Sequence, residues 1–420
     1  MAGKRIMVFT IPNDGHLNIL KRMIRAYRAE HTFRLVLVDR QTTAPDLGDL
    51  AGLTDTLDGS RHFLNTPASD VLHRVRELLD ESLAVTRDFG PDLVVHDFCA
   101  LEGHFAARLA GVPYWTSVPG LIGPMTDRRY LTECLSSDTN RAALDTLRQR
   151  YGLTVRPDEI ELVSNSLHIP AETNLLWSYP AVPPADFRRH RRPAHYRFAG
   201  YLADGHRRPD RPTGRPLVYL SFGTEVMDNL WHTDPTTRDG VRRCVAGLAA
   251  RWTRDIDVVF VTRGRTVLPA YPANWAVHDR VDQQRILSRA DVFVTHGGSN
   301  SFHEALLARV PVVVVPFFGD QPLVARRAAE LGIGIALDGG ATVERGAAAR
   351  FLHPDLARRI AAAVDRIRAD GTYRRNLENL CTPVTPALAG LDRLPSTRPV
   401  PVAAPTAAPD PVAAGPGGTR

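Results

Sequence analysis

An α/β fold with two domains, each built on a parallel sheet, is what the sequence predicts, and three observations carry it. Runs such as Leu217–Ser221, Val258–Val261 and Val312–Val315 are apolar without alternation, as strands covered on both faces by helices are. The order of strand, tight turn, amphipathic helix and strand recurs along the chain. It also restarts after a connector at 204–216 that is rich in Arg, Pro, Asp and Gly. A length of 420 residues accommodates two domains and a short extra segment.

Taken in order, Ile6–Ile11 is a short apolar strand stopped by Pro12-Asn13-Asp14-Gly15. Leu17, Leu20, Ile24 and Tyr27 then recur on one helical face, and Phe33–Val38 is the second strand. Leu72, Val75, Leu79 and Leu83 mark another helix, after which Pro91-Asp92 leads into Leu93-Val94-Val95, ending in His96-Asp97. A helix through Leu101, Phe105 and Leu109 runs to Gly111, and Val112–Trp115 begins a further extended piece. Between 120 and 180 the pattern weakens to helical turns around Leu131, Leu135, Leu144 and Leu147, read as variable cleft wall. Past the connector come the strand Leu217–Ser221, a helix over about Arg238 to Trp252, and strands at Val258–Val261, Asp291–Val294 and Val312–Val315. The Pro-, Ala-, Gly- and Thr-dominated tail cannot offset the entropy of ordering and is excluded from the fold. The boundaries are 1–203 and 217–372 for the two domains, 204–216 for the linker, 373–394 for a helical segment and 395–420 for the tail.

Composition removes several classes of function. The net charge of +6 and the pI of 9.3 invite a nucleic-acid reading. Lys4 and Lys21 are the only lysines, however, and Arg188-Arg189-His190-Arg191-Arg192 lacks interleaved stacking aromatics. Nucleic acid is not expected as a partner. The apolar start is too short for a signal peptide and no 18-residue apolar run occurs, so cytoplasmic residence without stable membrane insertion is expected. Cys99, Cys134, Cys244 and Cys381 form no CxxC pair, which indicates neither a zinc knuckle nor a disulfide framework.

Ligands sit at the carboxyl ends of the strands in open parallel sheets. His16, Asp97, Ser221, His296 and Asp320 all fall at or just past such ends. In Thr295-His296-Gly297-Gly298-Ser299-Asn300-Ser301 the glycines allow a sharp turn, Ser299, Asn300 and Ser301 can cap the next helix, and its first amides can receive phosphate oxygens. Ser221-Phe222-Gly223-Thr224 supplies a second donor-rich turn. Glu304, one turn beyond Asn300, reads as a ribose-holding carboxylate or as a solvated helix residue. Asp320 and Gln321, after the polyvaline strand, offer groups for sugar hydroxyls or form a simple Gly-Asp turn. The absence of a Walker pattern and of GxGxxG in the first turn removes support from kinase and NAD-dependent classes.

His16 can take a proton near neutral pH or serve as a helix cap, and Asp97 at a separate strand end can orient its imidazole. His96 is the competing base, and strand alternation points it away from Asp97.

At these motifs the chain resembles the inverting nucleotide-sugar glycosyltransferases, the family that includes plant natural-product and bacterial macrolide glycosyltransferases. The Gly15-His16 turn, Ser221–Thr224, Thr295–Leu306 and Pro316–Gln321 match in order, over about residues 4 to 390. The resemblance implies two facing Rossmann-like domains (the GT-B fold), acceptor held mainly by the first and donor by the second, with the 373–394 segment packing back on the first. It implies His16 as base and Asp97 as its partner, with His296, Gly298, Ser299 and Asn300 near the diphosphate. Ser221, Gly223 and Thr224 join the donor site, Glu304 matches the ribose carboxylate and Asp320 with Gln321 the sugar-binding pair. The usual Val-Pro-Gln before the base-recognition loop is replaced by Val281-Asp282-Gln283, so Gln283 is the base-contact position on a departing motif and uridine versus thymidine stays open.

The reaction expected is a single displacement from a UDP- or dTDP-sugar onto a small-molecule hydroxyl, without prosthetic group or metal. The family resemblance and an Arg-, Ala- and Pro-rich composition point to antibiotic or other secondary-metabolite biosynthesis. Phe63, Phe98, Tyr114, Trp115, Tyr130, Tyr151 and Trp177 are acceptor-wall candidates or ordinary core. The rival readings are a sugar-nucleotide epimerase, which needs no acceptor, and a nonenzymatic nucleotide-sugar binder. A homodimer is among the expected assemblies.

Overall fold

The computed structural model describes residues 3–39, 45–58, 67–121, 132, 135–163, 166–184, 196–202, 214–337, 353–381, 384 and 386–391. The Arg188–Arg192 cluster, linker residues 204–213, Cys134, Phe63, Tyr130, Leu131 and the 395–420 tail lie outside them.

The first unit contains β1 (Arg5–Thr10), β2 (Thr32–Asp39), β3 (Thr54–Asp58), β4 (Leu93–Asp97), β5 (Tyr114–Val118), an antiparallel ribbon of β6 (Glu161–Val163) and β7 (Ser166–His168), then β8 (Thr173–Leu176) and β9 (Tyr196–Phe198). Apart from the ribbon, these strands form one parallel sheet in the order β3-β2-β1-β4-β5-β8-β9. Its helices are α1 (Asp14–Tyr27), α2 (Pro67–Phe89), α3 (Leu101–Ala110) and α4 (Asp138–Tyr151). Ile6 and Val8 of β1 enter one apolar cluster and Met7 and Phe9 another, because successive side chains leave opposite faces and both faces are covered.

The second unit holds β10 (Leu217–Ser221), β11 (Asp257–Val261), β12 (Trp275–His278), β13 (Val292–Thr295), β14 (Val312–Val314) and β15 (Gly334–Ala336), all parallel, in the order β12-β11-β10-β13-β14-β15. Its helices are α5 (Pro235–Arg251), α6 (Gln283–Leu287), α7 (Ser299–Ala308), α8 (Gln321–Glu330), α9 (Leu356–Ala369) and α10 (Thr372–Leu380).

In each sheet the chain starts centrally and builds outward in both directions. The reversal falls between β1 and β4 in the first and between β10 and β13 in the second. A crevice opens where two neighbouring strands send their connections to opposite faces, and it opens at their carboxyl ends. Register places Phe9 beside His96 and Ser221 beside Thr295. The turn carrying His16 therefore adjoins the end of Asp97's strand, and the Ser221 turn adjoins the His296 turn.

The segment after α9 divides. Arg374 pairs with Asp291 at 3.6 Å and Asn376 donates to the Gly332 carbonyl at 2.9 Å, so α10 rests on the second unit. Arg197 of the first unit donates to the Ala389 carbonyl at 2.7 Å, and a Cβ on Gly200 would strike Val384. Contact with the first unit thus comes after α10. Among the described residues no helix is long and apolar enough to cross a membrane.

Candidate active site

Asn13 caps α1, accepting from the Gly15 amide at 2.8 Å. Because capping falls to Asn13, the imidazole of His16 in the first turn is left for other work. Its Nδ1 lies 2.8 Å from Asp97 Oδ1. A carboxylate only accepts, so Nδ1 carries the proton and the Nε2 lone pair is the basic site. Asp97 is fully buried at the end of β4, and Oδ1 also accepts from the Cys99 amide at 2.8 Å. Phe98 packs on the imidazole with ring centroids 5.3 Å apart.

His96 behaves differently. Its Nδ1 donates to the Asp97 carbonyl at 3.0 Å, its Nε2 meets the Thr116 hydroxyl at 3.1 Å, and burial lowers its pKa to about 4. A neutral, enclosed ring with both nitrogens engaged is no competitor for the acceptor's proton. Of the described acceptor-wall candidates, Phe98 lies against His16. Trp115 and Trp177 are core residues, Trp177 donating to the Ser117 hydroxyl at 2.8 Å, and Tyr151 bonds Asp80 on the surface at 2.8 Å.

Across the cleft, α7 begins with Gly298 as its N-cap and no side-chain cap. Ser299, Asn300 and Ser301 do not cap the helix, as the sequence suggested. They lie inside its first turn, and among the described residues no side chain caps the leading amides, which point out of the helix. The His296 ring stands between Gly223 and Gly298, and a methyl group on either glycine would run into it. Gly223 also holds φ at +78°, which favours glycine. Burial takes the His296 pKa down to about 4, the Ser221 carbonyl opposing, so this ring is neutral and can present a single N–H. Ser221 Oγ accepts from the Gly223 amide at 3.3 Å, and Thr224 Oγ1 reaches Asp14 at 3.4 Å.

Glu304 is buried, not a solvated helix residue. Gln283 Nε2 donates to its Oε2 at 2.6 Å and to Ser301 Oγ at 3.1 Å, while Gln283 Oε1 accepts from Tyr219 at 3.0 Å. The amide of Gln283 is thus spent within this network. Asp282, in place of the proline of the usual motif, caps α6 by accepting from the Arg285 amide at 3.0 Å. At this N-cap position the aspartate carboxylate satisfies an amide of the first turn, which a proline there could not do.

Gln321 Oε1 accepts from the Phe317 and Phe318 amides at 2.8 and 3.2 Å, which turns its amide group toward other partners. Burial pushes the Asp320 pKa up to about 6, against the Leu121 amide and the nearby charge of His16. Because the folded value exceeds the unfolded 3.8, this group's contribution to stability is complete below 3.8 and is lost as pH rises through about 6. Asp320→Asn, neutral at every pH, should raise the melting midpoint by roughly 2–4 °C near neutrality. Melts recorded from about pH 4.5 to about pH 7.5 check this, the gain shrinking toward the acid end. A gain independent of pH rejects the account.

The two halves touch directly. Asn300 Nδ2 donates to the Gly15 carbonyl at 2.6 Å, and Asn13 Nδ2 to Glu225 at 2.6 Å. Arg263 reaches Asp14 at 3.2 Å and Arg22 reaches Glu304 at 2.7 Å. Sequence reading missed Asn13, Asp14 and Arg22 because their partners are more than 200 residues away along the chain. It also missed Arg74, whose buried guanidinium pairs with Glu102 at 2.6 Å and donates to the Cys99 carbonyl at 2.6 Å, bracing the loop that follows Asp97. An arginine set among the apolar positions Val71, Leu72 and Val75 was the available signal. His16, Asp97 and Cys99 bring one possible ligand atom each within 4.8 Å of one another, a grouping that linear spacing does not reveal.

Residues 245–385 match the family model described as the erythromycin biosynthesis protein CIII-like C-terminal domain. An NDP-glycosyltransferase, YjiC of Bacillus licheniformis, is 25% identical over 368 residues, covering 80% of this chain and 85% of its own. The oleandomycin glycosyltransferase of Streptomyces antibioticus is 26% identical over 414 residues, covering 88% of each chain. Among solved structures, the spinosyn rhamnosyltransferase SpnG complexed with thymidine diphosphate superposes with a TM-score of 0.65 at 19% identity, over 93% of this chain and 99% of that one. Two parallel-sheet domains, a capped turn presenting a carboxylate-oriented histidine and a helix start without a side-chain cap joined to that turn give the chain the GT-B fold, and in sequence it is similar to nucleotide-sugar glycosyltransferases.

Proposed function

We propose that the protein moves a sugar from a UDP- or dTDP-sugar to a hydroxyl of a small natural product, with inversion at the anomeric carbon. The observation that carries this is the oriented pair His16–Asp97, set against the start of the donor helix by the bond from Asn300 to Gly15. Nε2 of His16 takes the acceptor's proton as its oxygen attacks, and Asp97 stabilises the imidazolium that forms. The nucleoside diphosphate leaves from the opposite face with the bonding electrons. Its growing charge is met by the leading amides of α7 and the Ser221–Thr224 turn, which need no reorganisation at that moment. Asp320 and the amide of Gln321 receive sugar hydroxyls, and Glu304 receives the ribose.

Mass spectrometry on a grid of UDP- and dTDP-sugars against hydroxylated aglycones tests the reading. A glycosylated acceptor whose anomeric configuration is opposite to the donor's is the expected product. Conversion of donor to an epimer with no acceptor present would instead establish the sugar-nucleotide epimerase.

A further inference from the structure

An acidic side chain beside a diphosphate is an electrostatic problem, because both are negative and a half-closed cleft screens them poorly. The structure contains its answer on the opposite domain. Arg22 of α1 extends across the interface to Glu304, NH2 to Oε1 at 2.7 Å, with the two side chains only 12% and 6% exposed. Its guanidinium lies over the Tyr201 ring at 5.7 Å from the centroid, and NH1 donates to the Tyr201 hydroxyl at 3.3 Å. Tyr201 in turn stacks on His303 of α7 with centroids 5.5 Å apart. The cation is thus built in rather than draped over a surface.

Position matters as much as charge. His16 and Arg22 share α1, about 9 Å apart along its axis at 1.5 Å per residue. One helix therefore presents the base near the reacting carbon and, further along, a cation at the carboxylate assigned to the ribose. Arg22 and Gln284 reach Oε1 and Gln283 reaches Oε2, and since a carboxylate has about four acceptor positions, one on Oε2 is left for a ribose hydroxyl.

Resting on the assignment of Glu304 to the ribose, we infer that Arg22 is a donor-positioning residue contributed by the acceptor domain. It neutralises and orients Glu304 so that a nucleoside diphosphate can be held beside that carboxylate. Nucleotide binding then also favours the apposition of the two domains, because the carboxylate is fully set only when Arg22 reaches it.

A double-mutant cycle on nucleotide affinity tests this, using calorimetric Kd values for UDP and dTDP with wild type, Arg22→Gln, Glu304→Gln and the double variant. Each single change is expected to weaken binding about tenfold, and the double change by about 10- to 20-fold rather than about 100-fold, since Arg22 acts through Glu304. Arg22→Lys, which keeps the charge and loses the fork, should lose about threefold and serves if Arg22→Gln does not fold. Additive losses, or unchanged affinity in the Arg22 variants alongside a loss in Glu304→Gln, overturn the role of Arg22 while sparing Glu304. Unchanged affinity in Glu304→Gln overturns the ribose assignment itself.

Discussion

Replacing His16 by alanine is expected to lower kcat by about a thousandfold, the range that a positioned general base supplies. Affinity for UDP or dTDP should stay within about threefold, because hydrogen bonds to the nucleotide are assigned to the second domain. The asymmetry follows from where the ring sits. His16 belongs to the first turn of α1, which is capped by Asn13 and joined to α7 through the Gly15 carbonyl, and neither feature uses the imidazole. Alanine keeps the helix and the interdomain bond and removes only the proton acceptor. Single-turnover rates beside calorimetric nucleotide titrations separate the two quantities. A variant that loses nucleotide affinity in proportion to rate would show that His16 binds donor instead of activating acceptor.

The second large effect is expected at Asp97. Its Oδ1 accepts from both His16 and the Cys99 amide, so an asparagine oxygen in the same place can keep both bonds and the tautomer they enforce. What Asp97→Asn removes is the negative charge facing the imidazolium, at a fully buried carboxylate. Turnover should fall about a hundredfold, and the acid limb of the pH–rate profile should move toward lower pH, because a histidine without its carboxylate is a weaker base. The buried Oδ2 has no hydrogen-bond partner among the described residues, so the new NH2 group there also costs stability, about 1–3 kcal/mol for an unsatisfied polar group. Thermal melts measure that loss independently of rate. A rate within twofold of wild type, with the pH profile unmoved, would remove Asp97 from the mechanism.

Much of the fold was legible because it is written in local patterns. Uninterrupted Val-rich strands, the 3.6-residue recurrence along α1 and α2 and the glycine turns after β10 and β13 each depend on neighbours in the chain. The short elements β3, β8, β9, β12 and β15 were not legible. Thr54–Asp58 and Thr173–Leu176 carry polar residues in the run, and their order comes from pairing with a strand already in the sheet. The candidate site was legible as a set of strand ends, since ligand groups in such sheets gather there. The meaning of several members was not. From sequence Glu304 could be a surface residue, but Arg22 and Gln283 enclose it, and Asp282, a departure from the usual motif, caps α6.

By itself the sequence determined the fold class, the two-part organisation and the identity of the chemically competent groups, because periodicity, turn chemistry and motif order are properties of adjacent residues. Tertiary structure alone decided that β1 lies beside β4 and β10 beside β13, which brings His16 to Asp97 and the Ser221 and His296 turns together. It alone decided that Arg22 meets Glu304 and Asn300 meets Gly15. Those pairs join residues separated by 282 and 285 positions, and contacts at that range are set by how two sheets pack, which no local pattern encodes.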